Sequence, residues 1–150
     1  MSLNSYPITT APEQPMKIKA VLTQTEVSLM LGAARDEAQA NGWAVAIAVV
    51  DDGGHLLAFE RLDDASPISS YISIEKARTS ALGKRESKGY EEMVNGGRTA
   101  FLSAPLLTSL EGGVPVIVDG QVIGAVGVSG VKAEQDAQVA KAGIAALNAD

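Results

Sequence analysis

Two Asp-Gly pairs, Asp52-Gly53 and Asp119-Gly120, each lie between runs of strand-forming residues, and together they restrict the fold more than any other feature of the chain. Such a pair is the chemistry of a tight antiparallel hairpin, because glycine accepts a positive φ without steric penalty. Ahead of the first pair, Trp43 to Val50 is apolar at every position, and His55 to Arg61 returns behind it. Ahead of the second, Val114 to Val118 runs in, and Gln121 to Ser129 runs back. A strand that is apolar on both faces needs cover on both sides. Helical segments supply it. Thr23-Gln24-Thr25-Glu26 fits a capping box before Val27, Leu31, Ala34 and Ala38, with Asn41-Gly42 as the stop. Further helices are expected from Ser66-Pro67 to Gly83 and from Ser87 to Val94, with a closing helix marked by Ala133, Ala137, Ala140, Ile144 and Leu147. Arg98 to Gly113 reads as a Gly- and Pro-punctuated connection with an apolar stretch around Phe101 to Leu107. Residues 1–16, with Pro7, Pro12 and Pro15, read as a disordered tail, partly an expression scar, with Met16 a candidate native start; residues 17–150 read as one domain. The expected architecture is α+β, an α/β/α sandwich around one antiparallel sheet.

Composition narrows the function. The chain has 150 residues and no cysteine, which removes disulfides, thiolate metal sites and a cysteine nucleophile. Its net charge of −6 argues against a grip on nucleic acid. No apolar run reaches the roughly 18 residues of a membrane span. With no basic, apolar leader at the start, a cytoplasmic location is expected. Aromatic residues are only 4% of the chain, so alanine and aliphatic side chains must carry the packing.

His55 is the only histidine and sits beside a glycine turn, an ordinary exposed position. Ser73-Ile74-Glu75-Lys76 and Ser129-Gly130-Val131-Lys132 match Ser-x-x-Lys, but the companion elements of the penicillin-recognising enzymes are absent. No phosphate loop and no Gly-x-Gly-x-x-Gly occurs. Arg61 ends a strand and Lys76 lies in the following helix, so the loop between them could fold both toward one anion seat. The strand Gly124 to Gly130 carries small residues on both faces: alternation puts Gly124, Val126, Val128 and Gly130 on one side and Ile123, Ala125, Gly127 and Ser129 on the other. Such a strand leaves room either for a ligand or for a closely packed helix.

Ala48 to Gly54, Leu57 to Arg61, Lys76-Ala77, Gly112 to Val116, Val122 to Gly130, Asp136 and Val139-Ala140 recur in an order that resembles the GlcG/HbpS-like domain family, often labelled haem-degrading. That family also includes the C-terminal domain of the PduO corrinoid adenosyltransferases. The resemblance spans roughly residues 18–148. It implies a profilin-like three-layer sandwich around a five-stranded antiparallel sheet, homo-oligomers and, in some members, haem. The candidate ligand-binding residues are Arg61, Lys76, Ser129, Gly130 and Asp136, with no metal centre built from side chains. Haem-binding relatives would suggest an axial histidine from the first helix, but Thr23 to Asn41 contains none. The remaining ordinary iron ligands are His55, Tyr71, Tyr90, Met30 and Met93, with Thr79 or Thr99 as weaker oxygen donors. The expected function is binding of a small molecule or a tetrapyrrole such as haem by a homo-oligomer, without established catalysis. The alternative is an enzyme or operon accessory protein acting on a small organic acid such as a 2-hydroxy acid. There Arg61 or Lys76 would hold the carboxylate, and Asp136 or Ser129 would handle a proton. A third reading is an assembly subunit without a ligand.

Overall fold

Both hairpins form, and they join side by side through their inner strands. The computed structural model describes residues 16–148; the expected tail lies outside these residues apart from Met16. Strands β1 (Ala46–Asp51) and β2 (Leu56–Arg61) make the first hairpin, and β3 (Gly113–Val118) and β4 (Gln121–Ser129) make the second. The sheet order is β2-β1-β4-β3, antiparallel throughout, so β2 and β3 are the edges. The sheet therefore has four strands, a correction to the five implied by the family resemblance. The described residues supply only four strands. The connection from 98 to 112 instead forms a 3-10 turn (Thr99–Ser103), then passes through Leu106 at φ 57° and Gly112 at φ 137°, conformations no strand sustains.

Helices α1 (Gln24–Ala40) and α4 (Ala133–Ala145) cover one face, and α2 (Ile68–Gly83) covers the other. The Thr23 amide donates to the Glu26 carboxylate at 3.1 Å, as the capping pattern predicts. The α1/α4 face carries the larger core: Met30, Val45, Ile47, Val49, Val126, Val128 and Val139. The α2 face is built from Ala48, Val50, Ala77, Ala81 and Ala125. A short helix, α3 (Lys88–Asn95), follows α2.

One alternation expectation fails. Ile123 lies in the α1/α4 core, not on the Ala125 face. Val116 pairs with Gly124 and Ile117 with Val122, so Ile123 is the extra residue of a bulge and its side chain changes sides.

The glycine-spaced β4 leaves no room for a ligand. A methyl group at Gly127 would lie 2.2 Å from the Ser73 carbonyl oxygen and 2.4 Å from the Ala77 nitrogen, both backbone atoms of α2. At Gly113 it would lie 2.1 Å from the Lys76 carbonyl oxygen, and at Gly124 it would meet Val50 O at 2.5 Å and Leu22. Close packing of α2 is what Gly113 and Gly127 serve, and Gly124 admits the β1 backbone and Leu22.

Candidate functional site

Lys76 and Asp136 come together although 60 residues separate them. The Lys76 side chain leaves α2 beside Gly112, donates to the Val128 carbonyl at 2.9 Å, and donates to Asp136 at 2.9 Å on the far layer. The Val131 amide also donates to Asp136, at 3.1 Å. Lys76 is 4% exposed and Asp136 2%. The ion pair thus ties α2 to the start of α4 past the end of the sheet. Burial pushes the Asp136 carboxyl up; the Lys76 charge, its hydrogen bond and the Val131 amide pull the other way, and Glu111 adds to the rise.

The sign of the linkage follows. Between the ordinary carboxylate range and the raised value, the folded chain holds a proton that the unfolded chain has released, so this group makes stability fall as pH rises across that window. Asp136→Asn is expected to lack this component in urea-unfolding free energies measured at several pH values. A decline of undiminished slope in the variant would assign it to other groups.

Ser129 and Gly130 lie in the segment whose Val128 carbonyl and Val131 amide bind this pair, whereas Arg61 lies apart. Arg61 is exposed in a cleft of about 450 Å³ lined by Gln39, Trp43, Glu60, Asp63 and Asp64, among others, and by none of the remaining candidates. Ser129 is buried; it pairs with Ala46, which pairs with Arg61 on its other side, a spacing of about two strands or ~10 Å. Gly130 has φ 142°, and a methyl group there would lie 2.5 Å from the Ala44 carbonyl, so close backbone contact requires the glycine.

An apolar cleft opens where α2, α3 and the 98–112 connection meet. It is about 280 Å³, lined by Thr79, Leu82, Tyr90, Pro105, Leu106 and Leu107, with Gly83 at its back. Gly83 is needed there, since a methyl group would lie 2.4 Å from the Tyr90 hydroxyl oxygen. Arg85 stacks on the Tyr90 ring at 4.8 Å, Phe101 tilts against it at 5.7 Å between centroids, and Arg98 stacks on Phe101 at 4.7 Å. Two guanidinium groups therefore flank an aromatic pair, of which Tyr90 lines this cleft while Phe101, with Arg98, lines a separate one of about 200 Å³.

The family model described as Haem degrading protein HbpS-like matches residues 22–145. The chain belongs to the HbpS-like family. It is 69% identical over 114 residues to Protein GlcG of Escherichia coli (strain K12), covering 76% of this chain and 85% of that protein. Among solved structures, Klebsiella pneumoniae protein ORFY superposes with a TM-score of 0.82 at 31% identity, over 91% of this chain and 98% of that one. A structure of a PduOC:heme complex superposes with a TM-score of 0.78 at 29% identity, over 86% and 96%.

The placement of possible iron ligands in this HbpS-like chain is uneven. Met30 is sealed in the α1/α4 core. The His55 side chain is 80% exposed on the hairpin turn and contacts Asp51 at 3.1 Å. Tyr71 stands 75% exposed on α2, away from any cleft described above. Thr79 lines the apolar cleft, but its hydroxyl already accepts the Thr108 amide at 2.8 Å. Thr99 is exposed in the 3-10 turn, and Met93 is half-buried on α3. Tyr90 alone of these combines a cleft position with a hydroxyl that makes no hydrogen bond among the described residues. An oxygen donor, apolar walls and two nearby guanidinium groups fit a haem's iron, ring and carboxylates. Leu82, Pro105, Leu106 and Leu107 went unrecognised in the sequence. The signal was the apolar stretch Phe101 to Leu107 inside a connection that is otherwise polar.

Proposed function

We propose that this chain binds a tetrapyrrole, with haem the leading candidate, in the cleft of Tyr90. The observation that carries the reading is the apolar wall of exposed Leu82 and Leu106 and half-buried Leu107 beside Tyr90, whose hydroxyl makes no hydrogen bond to the described residues. Family membership and the heme complex of PduOC support the same ligand class. Tyr90 would hold the iron through its hydroxyl oxygen, Arg85 and Arg98 would hold the carboxylates, and the leucines would exclude water from the ring. When bound, haem supplies redox and oxygen chemistry; this chain's own part is binding and orientation. The cleft is smaller than drug-sized sites usually are, so a second copy of the chain would cover the other ring face. Leu102, Leu106 and Leu110, exposed beside the cleft, suit that homo-oligomer.

The organic-acid alternative has weaker support. The Lys76 ammonium is occupied by Val128 and Asp136, and Arg61 shares its cleft with three carboxylates.

A haemin titration followed by absorbance, with light scattering on the same samples, tests the proposal. The expected result is saturable binding with a shifted Soret band and ligand-linked mass, and a loss of affinity of at least tenfold in Tyr90→Phe. Unsaturable binding, or a Tyr90→Phe variant with unchanged spectrum and affinity, overturns it.

A further inference from the structure

Another cleft, of about 540 Å³, lies at the hairpin end of the sheet and gathers Lys17, Lys19 and Lys84 beside Ile117, Gln121 and Val122. The chain has a net charge of −6 and only 12 lysine and arginine residues, yet three of them converge here; among the described residues no acidic side chain lines the cleft, and of the three lysines Lys19 is paired with Asp52 outside that lining. We infer that this cleft binds a small phosphorylated molecule, its phosphoryl group held by Lys17 and Lys84 and its organic part laid on Ile117 and Val122.

The lysines come from two layers and are carried on held backbone. Lys19 pairs with Asp52 on the first hairpin turn, and Leu22 sits against Gly124 of β4, so the segment ahead of α1 is fixed at both points. Lys84 enters from the opposite layer as the C-cap of α2, in the left-handed region at φ 56°. That position ordinarily takes glycine, because a Cβ is strained there. A lysine at a glycine position gives no conformational advantage, so its charge is the feature left to explain. Lys17 and Lys84 form no salt bridge among the described residues, and both ammonium groups remain available. The chemistry of the donors selects the ligand. Ammonium groups are compact point charges suited to a phosphoryl group, and among the described residues no guanidinium fork lines the cleft to match a planar carboxylate.

Inorganic pyrophosphate is the probe, titrated into the full chain and followed by amide chemical shifts. Saturable shifts at Gly120, Gln121 and Val122 are expected, with affinity falling as salt is raised from 50 to 200 mM, roughly in step with the charges engaged. Lys84→Gly relieves the left-handed strain while removing the charge, so the variant folds and should lose at least tenfold in affinity. Lys17→Met should lose severalfold, whereas Lys88→Met, on α3, should bind as the wild type does. Absent saturation, an unchanged affinity in Lys84→Gly, or an equal loss in Lys88→Met overturns the site. Malonate binding as tightly as pyrophosphate overturns the phosphoryl assignment.

Discussion

Lys76→Met is expected to lower the unfolding free energy by about 3–5 kcal/mol at neutral pH, the usual penalty for removing one partner of a buried ion pair. The penalty reflects what stays behind more than what is lost. Asp136, 2% exposed, would keep one hydrogen bond from the Val131 amide and lose the one cation it pairs with among the described residues. The Val128 carbonyl would lose its Lys76 donor as well. In a domain of this size such a loss moves the melting midpoint down by roughly 10 °C. The variant should also regain stability as pH falls, because protonating Asp136 removes the unpaired charge; its carboxyl, already raised by burial, loses the Lys76 charge that held it down. Lys76→Met combined with Asp136→Leu should recover most of the loss, since an apolar pair of similar volume removes both desolvation penalties. Thermal and urea unfolding of the single and double variants reads all three effects. A single variant within 1 kcal/mol of wild type would mean that the pair is not a strut between layers.

That strut illustrates what can be read from residues alone. The hairpins were legible because Asp-Gly turns and two-sided apolar runs are local signals, as was α1 with its Thr23–Glu26 cap. Lys76 and Asp136 could be nominated, but no local signal tells that two residues so distant in sequence meet across the end of the sheet. Arg61 shows the opposite failure. Nearness to Lys76 along the chain suggested a shared anion seat, yet the register of β2 turns Arg61 into a separate cleft. The Tyr90 cleft was hidden for a third reason: its walls come from the 98–112 connection, whose irregular backbone has no period from which to infer a face.

Gly127→Ala should be among the most damaging single-methyl additions in this chain, lowering stability by about 3 kcal/mol, the upper end of the range for overpacking. The new methyl group would meet Ser73 O at 2.2 Å, Ala77 N at 2.4 Å and the Ala77 Cβ at 2.8 Å. The two nearest atoms are backbone, so no rotamer change relieves the contact; α2 as a whole must lift. Lifting α2 would also disturb its contacts with Ala48, Val50 and Ala125 and strain the Lys76 bridge. The face of α2 that settles onto the sheet carries Ser69, Ser73, Ala77, Ser80 and Ala81, residues too small to hold a wider separation. Gly32→Ala on α1 is the matching control. There the nearest atom is the Arg35 side chain at 3.7 Å, and the added methyl should stabilise by up to about 1 kcal/mol through helix propensity. Urea unfolding of both variants separates packing from ligand binding as the purpose of the β4 glycines. If Gly127→Ala keeps wild-type stability and loses haemin instead, β4 borders the ligand and the helix-packing account is wrong.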